Sequence, residues 1–456
     1  MEGFFTKKSF SRCIAGIYDE WYLVVIESIK EVKKVYIKDL SVYNFKGIDH
    51  CQLSFQQGFN LIIGENGKGK TSLLEAVAIG ISGFVSGAHG EGIHPRNFLS
   101  DEARTVYILQ GDGACEPVNY WPKVEITADI NGQTYQWERS KSNYRAQTKT
   151  TPRDIYHLAE ALTTNPEAVL PVICYQSAGR VWSQKRKKAE RTFSRKKSSR
   201  VAGYIDCMSD EASVKLMLEW CSRMEQIAWQ NGTPVREYEA VKQAVAKAMT
   251  QLENESIRIF YDKRSEELMY QKEGVVVPIS VLSAGYQSLI WMIFDIAYRM
   301  ATLNPFLAEK ISQTPGLVLI DELDVHLHPR WQWQVIDVLR HVFPNVQFIA
   351  TTHSPIIIAS AKNVWCIDIE QIDQLKTSMS GYGLEIDYIL KKIQNATDLP
   401  GSVEDLLKSF YQCIDKEDFS QAKVILSQLE QDIGRDSPLA VKARERLDLE
   451  IALMEE

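Results

Sequence analysis

The 456-residue chain has no long hydrophobic run, no paired-cysteine motif and no excess of positive charge, and each absence excludes something. Its longest N-terminal apolar patch, Trp21–Ile26, is flanked by Asp19, Glu20 and Glu27, so neither a membrane span nor a signal peptide is expected there. Eight cysteines are scattered without a C-x-x-C pair, which argues against a zinc site and for a reduced, cytoplasmic protein. A formal net charge of −7 rules out a global basic surface, so any nucleic-acid contact must be local. No internal repeat is visible. Helix candidates near Glu211–Trp229 and Val235–Glu253, broken at Asn231-Gly232-Thr233-Pro234, are far too short for a long coiled coil.

What is present is a phosphate loop. Asn60–Ile63 reads as a buried strand, Gly64–Ser72 spells GENGKGKTS, and an apolar helix follows from Ser72. The glycines let the chain curl so that successive N–H groups face an anion, and the helix start adds its positive dipole end. Asn66, Gly67, Lys68, Gly69, Lys70, Thr71 and Ser72 are therefore the expected nucleotide-binding residues, with Lys70 on the β- and γ-phosphates and Thr71 on Mg²⁺.

Three further segments carry chemistry. Leu317–Ile320 is a continuous apolar strand ending in Asp321-Glu322, which places two carboxylates at a sheet edge. Such a pair is common by itself; beside a phosphate loop, Asp321 suits the metal and Glu322 suits activation of the attacking water. Val346–Ala350 is the next strand and delivers Thr351-Thr352-His353-Ser354-Pro355 to the same edge. A lone histidine there is more often structural, and the functional alternative is a sensor of the γ-phosphate. Finally, Ser283 is placed to cap the helix Leu289–Tyr298, and Ala284-Gly285 leave room for a phosphate to approach the backbone.

Elsewhere, Val35–Tyr43 and Gln52–Phe55 read as strands, and Lys123–Ile130 with Thr134–Glu138 reads as a hairpin across Asn131-Gly132. Val169–Tyr175 is a short buried strand ending at Gln176. Trp331–Val342 and Pro355–Ala361 read as helices and Val364–Ile369 as a strand, giving the strand–helix alternation of a sheet covered on both faces. From Ser183 to Arg200 nine Lys or Arg stand against one Glu; a run like this is usually a solvated loop, the alternative being a nucleic-acid backbone contact through Lys185–Arg200. In the tail, Val403, Leu406, Leu407, Phe410 and Ile414 fall at helical spacing, as do Phe419, Ala422, Ile425, Leu426 and Leu429, and Ser437-Pro438 starts a third helix. Those stripes either pack on the rest of the chain or form a docking surface.

In this order the motifs resemble an ABC-type ATPase head of the SMC, RecF-like and OLD-type proteins over about residues 34–370. The resemblance implies an α/β P-loop NTPase with a mixed sheet flanked by helices, a helical insertion and a helical C-terminal tail. It makes Gln176 the Q-loop residue and a metal contact with Thr71 and Asp321, Leu282–Tyr286 the signature, Leu323–His328 the D-loop and His353 the switch histidine. Catalysis falls to Glu322, His353 and Lys70, and Ser283 and Gly285 serve the nucleotide of an opposing head. Boundaries follow: an extension at 1–33, a first ATPase lobe at 34–182, the basic loop and helical insertion at 183–277, a second lobe at 278–383, and a helical partner-docking region at 384–456. Lys70 and Ser283 are 213 positions apart, too far for a compact transporter domain. OLD-type nucleases append a Toprim domain after the switch histidine, whereas this tail reads as helices.

A narrower resemblance rests on Leu170–Trp182, Asp321–Gln332, Pro344–Pro355 and Ser380–Leu390 followed by a helical hairpin. Together these look like the ATPase subunit family of Septu anti-phage systems, including retron-associated forms. That implies ATP and Mg²⁺ as cofactors, a homodimer or higher even oligomer, an HNH nuclease partner and, for retron forms, reverse transcriptase and multicopy single-stranded DNA, with no membrane. Ala284 and Tyr286 depart from the family's signature, where glycine and glutamine would stand, which bears on the rate of hydrolysis more than on binding. The competing readings are an ATP-sensing scaffold without turnover and a RecF-like DNA-repair ATPase.

Overall fold

The computed structural model describes residues 34–65, 67–109, 115–179, 199–209, 214–370, 381–392 and 399–455. It divides into two compact units, the first ending at Gly383 and the second running from Leu384 to Glu456. The extension at 1–33 and residues 185–198 of the basic run lie outside the described residues.

The first unit opens with β1 (Val35–Phe45), β2 (Ile48–Ser54) and β3 (Phe59–Ile63), then α1 (Lys70–Val85). Next come β4 (Arg104–Leu109), β5 (Cys115–Tyr120), β6 (Lys123–Ile130), β7 (Gln133–Ser140), β8 (Lys149–Thr151), α2 (Asp154–Thr164) and β9 (Val172–Gln176). β2-β1-β6-β7-β8 form an antiparallel sheet, and β4 pairs with β5 apart from it. The β6–β7 hairpin turns at Asn131 (φ 59°) and Gly132 (φ 79°), both left-handed as a two-residue hairpin turn demands.

Two helices follow, α3 (Val214–Asn231) and α4 (Arg236–Glu253), and then β10 (Ile257–Asp262), β11 (Glu267–Lys272) and β12 (Val275–Pro278). The insertion is therefore helical only in part: from Ile257 it is an antiparallel meander, β10-β11-β12. α5 (Ala284–Leu303) leads to β13 (Gly316–Ile320). The helix expected at Trp331–Val342 is broken into α6 (Pro329–Gln332) and α7 (Val335–Val342), because Gln334 leaves helical geometry at φ −122°. β14 (Val346–Thr351), α8 (Pro355–Ser360) and β15 (Trp365–Asp368) complete the unit.

The mixed α/β character is shared between two sheets. β15-β3-β14-β13-β9 is parallel throughout, and its inner strands are wholly buried, hence their unbroken apolar runs. α1 is sandwiched between this sheet and the antiparallel one, touching β13 and β14 on one side and β6 and β7 on the other. That explains why it is apolar nearly all round. Trp137 of β7 seals the contact by donating its indole N–H to the Gly80 carbonyl at 2.9 Å. Each large side chain buried here contributes about 1.5–3 kcal/mol, and the product is a rigid mount for the loop at the start of α1.

The second unit contains α9 (Ile386–Lys392), α10 (Gly401–Asp415), α11 (Phe419–Ile433) and α12 (Pro438–Glu455). Val403, Phe410 and Ile414 pack against Ala422, Ile425, Leu426 and Leu429, with Ala443 and Leu447 from α12. The tail's apolar stripes thus bury one another in a core of their own. Asp418 caps α11 by accepting from the Gln421 N–H at 3.0 Å.

Candidate functional site

Register brings the motifs to one edge. Ile320 of β13 pairs with Ala350 of β14 and with Gln176 of β9, while Thr351 pairs with Ile62 of β3. The phosphate loop, the carboxylates and the histidine segment therefore leave the sheet together at its carboxyl end, the place where α/β folds bind ligands. β14 lies between the strand before the phosphate loop and the strand before the carboxylates.

Gly67 (φ 80°) and Gly69 (φ 96°) take left-handed conformations that other residues resist, and Gly69 forms the N-cap of α1. The first helical N–H groups, from Lys70, Thr71 and Ser72, have no partner within the helix, the arrangement that suits an anion. Asn66 lies outside the described residues. Lys68 is exposed, 3.8 Å from the Glu65 carboxylate. Lys70 is buried and donates to the Gly64 and Glu65 carbonyls at 2.8 Å each, which arches its amine over the loop. Burial holds that amine below its ordinary pKa, against the upward pull of Asp321, Glu322, Asp324 and Glu370.

Thr71 and Asp321 lie side by side, with the hydroxyl 3.1 and 3.2 Å from the two carboxylate oxygens. A hydroxyl and a carboxylate beside a phosphate site form an all-oxygen donor pair, which suits the hard cation Mg²⁺ that keeps several waters. Gln176 does not join them. It is 3% exposed and its amide donates to Asp295 of α5 at 2.8 Å, the same carboxylate that pairs with the buried Arg299 at 3.0 Å. Only its backbone reaches the site, where its carbonyl accepts from the Asp321 N–H at 2.8 Å.

Thr351, which sequence reasoning passed over, organises both carboxylates. Its hydroxyl donates to Asp321 at 2.6 Å and accepts from the Glu322 N–H at 2.7 Å, while its carbonyl accepts from the Leu323 N–H at 2.8 Å. Glu322 is held at φ 47°, left-handed and costly by about 1–3 kcal/mol for a residue with a side chain. Thr351 compensates that strain. Thr351→Val leaves the Glu322 N–H and an Asp321 oxygen without this partner, at about 1–3 kcal/mol. Turnover should fall about tenfold or more through kcat while KM for ATP changes little, and Thr351→Ser should restore it; steady-state kinetics of the two variants check this.

Asp324 ties the loop after β13 to the segment after β14: its carboxylate accepts from the Thr352 hydroxyl and, at 3.0 Å, from the His353 N–H. Gln332 makes a second tie, donating to the Leu327 carbonyl at 2.9 Å and accepting from the Ser354 hydroxyl at 2.6 Å. Burial and the Lys70 charge push His353 below its ordinary pKa, against Asp324, Glu322 and Asp321, so its imidazole is neutral at pH 7.

Ser283 is the N-cap of α5 and exposed, but its hydroxyl makes no capping bond. Gly285 serves a different close approach from the one expected: a Cβ there would overlap the His326 carbonyl, so the D-loop itself packs onto the signature. Tyr286 is anchored, its hydroxyl donating to Glu253 at 2.8 Å and its ring 4.4 Å from that of Trp331. From the basic run, Arg200 is a structural staple, donating to the Leu303 carbonyl at 2.9 Å and the Pro166 carbonyl at 2.7 Å. Among the described residues no cluster of three or more His, Cys, Asp and Glu could hold a metal, and no helix is long and apolar enough to cross a membrane.

The sequence profile of the AAA ATPase domain matches residues 36–82 and 102–358. The retron Vc95 probable ATPase of Vibrio cholerae serotype O1 biovar El Tor is 23% identical over 400 residues, covering 78% of this chain and 77% of that protein. For the retron Ec83 probable ATPase of Escherichia coli the identity is 22% over 487 residues, covering 91% and 87%. Septu protein PtuA of Bacillus mycoides (strain KBAB4) is 26% identical over 334 residues, 71% of this chain but 39% of PtuA.

Proposed function

This chain belongs to the AAA ATPase domain family, and from that premise we propose that it hydrolyses Mg²⁺-ATP between two copies of its head and uses the nucleotide state to control a separate nuclease in a defence complex. The observation that carries this reading is a pair of hydrogen-bonded clusters, Thr351 with Asp321 and Glu322, and Asp324 with Thr352 and His353, joined by the chain from Thr351 to Thr352 and backed onto the signature at Gly285. A change at the γ-phosphate is therefore felt by the D-loop and by the exposed Ser283 together.

Each residue then has a task. Lys70 and the first N–H groups of α1 hold the phosphates, and Thr71 with Asp321 holds Mg²⁺, which would neutralise phosphate charge. Glu322 takes the proton of the attacking water onto its carboxylate while Thr351 keeps its backbone in place. His353, neutral, offers a hydrogen bond to the γ-phosphate without adding a charge, and Ser283 of the opposing head closes the site from the other side. Gln176 is assigned a structural task, holding α5 against β9 through Asp295. Two states that differ in contacts at this site can bias a partner's conformation.

The partner assignment follows the resemblance to Septu ATPase subunits: an HNH nuclease, with reverse transcriptase and multicopy single-stranded DNA in a retron setting, and Lys185–Arg200 as the candidate nucleic-acid contact. A tail unit with its own core supports docking of the nuclease there. Removing residues 402–456 and co-purifying the remainder with an HNH protein encoded alongside tests it. ATP turnover should persist and the nuclease should be lost; a truncated chain that still retains the nuclease would refute tail docking.

A further inference from the structure

At the far end of α1 from the phosphate loop, the first unit opens a second basic cleft. It encloses about 630 Å³ and its lining includes Ser86, Asn97, Arg139, Lys149, Arg153 and Tyr156. With 16 residues, α1 spans about 24 Å, which separates this cleft from the nucleotide site. One wall is fixed by Gly87, where a Cβ would collide with the Tyr156 carbonyl, so α2 packs close against the end of α1.

Arg139 lies at the base, 2% exposed. Its guanidinium donates to the Ile79 and Arg96 carbonyls at 2.7 Å each, to the Asn97 side-chain oxygen at 2.6 Å and to the Thr150 hydroxyl at 3.2 Å. All of these partners are neutral, and no residue lining the cleft is a carboxylate. Burial lowers the Arg139 pKa to about 10. A cation compensated only by dipoles favours an anion nearby. Lys149 and Arg153 stand exposed on the lining, and neither forms an ion pair among the described residues. The acids of α2 on this side are Asp154, in the first turn, and Glu160, which faces His89 at 3.6 Å and His157 at 3.5 Å. Tyr156 offers a half-buried ring with the Arg153 guanidinium 5.8 Å from its centre.

We propose that this cleft is a second phosphate site that takes one nucleotide, its phosphate against Lys149, Arg153 and the threonine hydroxyls of β8, and its base against Tyr156. The volume fits, since sites for small ligands run from about 300 to 1,000 Å³. Base stacking on an aromatic ring beside basic groups is the usual way a protein holds a nucleotide without reading its sequence. The same chemistry is carried by a free mononucleotide and by the phosphorylated end of a single strand.

Calorimetric titration of the full-length Lys70→Ala chain, which silences the phosphate loop, with AMP and with short oligo(dT) bearing or lacking a 5′-phosphate tests the site. Binding is expected, and Lys149→Gln with Arg153→Gln should weaken it about tenfold or more, the loss of charge-assisted hydrogen bonds. Both side chains are exposed, so the fold should survive, and in the native background the pair should leave ATP turnover unchanged. AMP binding identifies a free nucleotide, and binding of the phosphorylated oligonucleotide alone identifies a strand end. If no probe binds, or if the double variant binds as well as its parent, the site does not exist.

Discussion

In a Glu322→Gln protein, ATP turnover should fall by about 10²–10⁴ while ATP binding is retained. The substitution keeps size and shape, so the Glu322 N–H stays on the Thr351 hydroxyl and the left-handed backbone is undisturbed. What disappears is the oxygen that accepts a proton from the attacking water. Lys70, Thr71 and Asp321 still hold nucleotide, so the two heads should stay closed and the protein should run as an ATP-dependent dimer in size-exclusion chromatography. A variant that turns ATP over at the native rate would remove Glu322 from the role of base.

Ser283→Arg should abolish turnover by a different route. Ser283 is exposed, its hydroxyl is not spent on capping α5, and among the described residues no hydrogen bond joins it to the phosphate loop of its own head. Arginine at that point adds bulk and charge to the face proposed to meet the opposing nucleotide, leaving the fold intact and ATP binding by the monomer within a few-fold. Lys70→Ala should also be inactive, because the buried amine over the loop is gone. Mixed together, the two dead proteins should recover activity, since a heterodimer has one site with an intact Lys70 facing an intact Ser283. Turnover that stays at zero in the mixture would place both residues in the same site of the same subunit.

Where chemistry dictates residue types at close spacing, the sequence was readable: GENGKGKTS, the Asp321-Glu322 strand end and the His353 segment stand where their strands predict. Direction was harder. Gln176 ends its strand at the proper edge, but its side chain turns to Asp295, a partner 119 positions away that no local pattern announces. Thr351 looked like any β-branched residue at the end of a strand, although it carries the link between both carboxylates. The β10–β12 meander was missed because its strands are short and lack clean alternation, as in Glu267–Lys272 (ELMYQK), beside the stronger helical signals of the insertion. Its turn at Glu273 (φ 48°) and Gly274 (φ 82°) was the available signal. In the tail, helical periodicity was legible, but whether the stripes would meet each other or another surface depended on contacts between helices and not within them.

The tyrosine at position 286 gives the signature a second attachment. Its hydroxyl holds Glu253, the last residue of α4, and Glu253 in turn pairs with Lys272 on the meander at 2.9 Å. A glutamine at this position lacks both the reach of a phenol and the ring that rests on Trp331. The arm built by residues 214–278 is thereby clamped to the turn that bears Ser283. In the proposed head dimer, a molecule that grips that arm would pull on the residue facing the neighbour's nucleotide, a brake on turnover that never touches the phosphates.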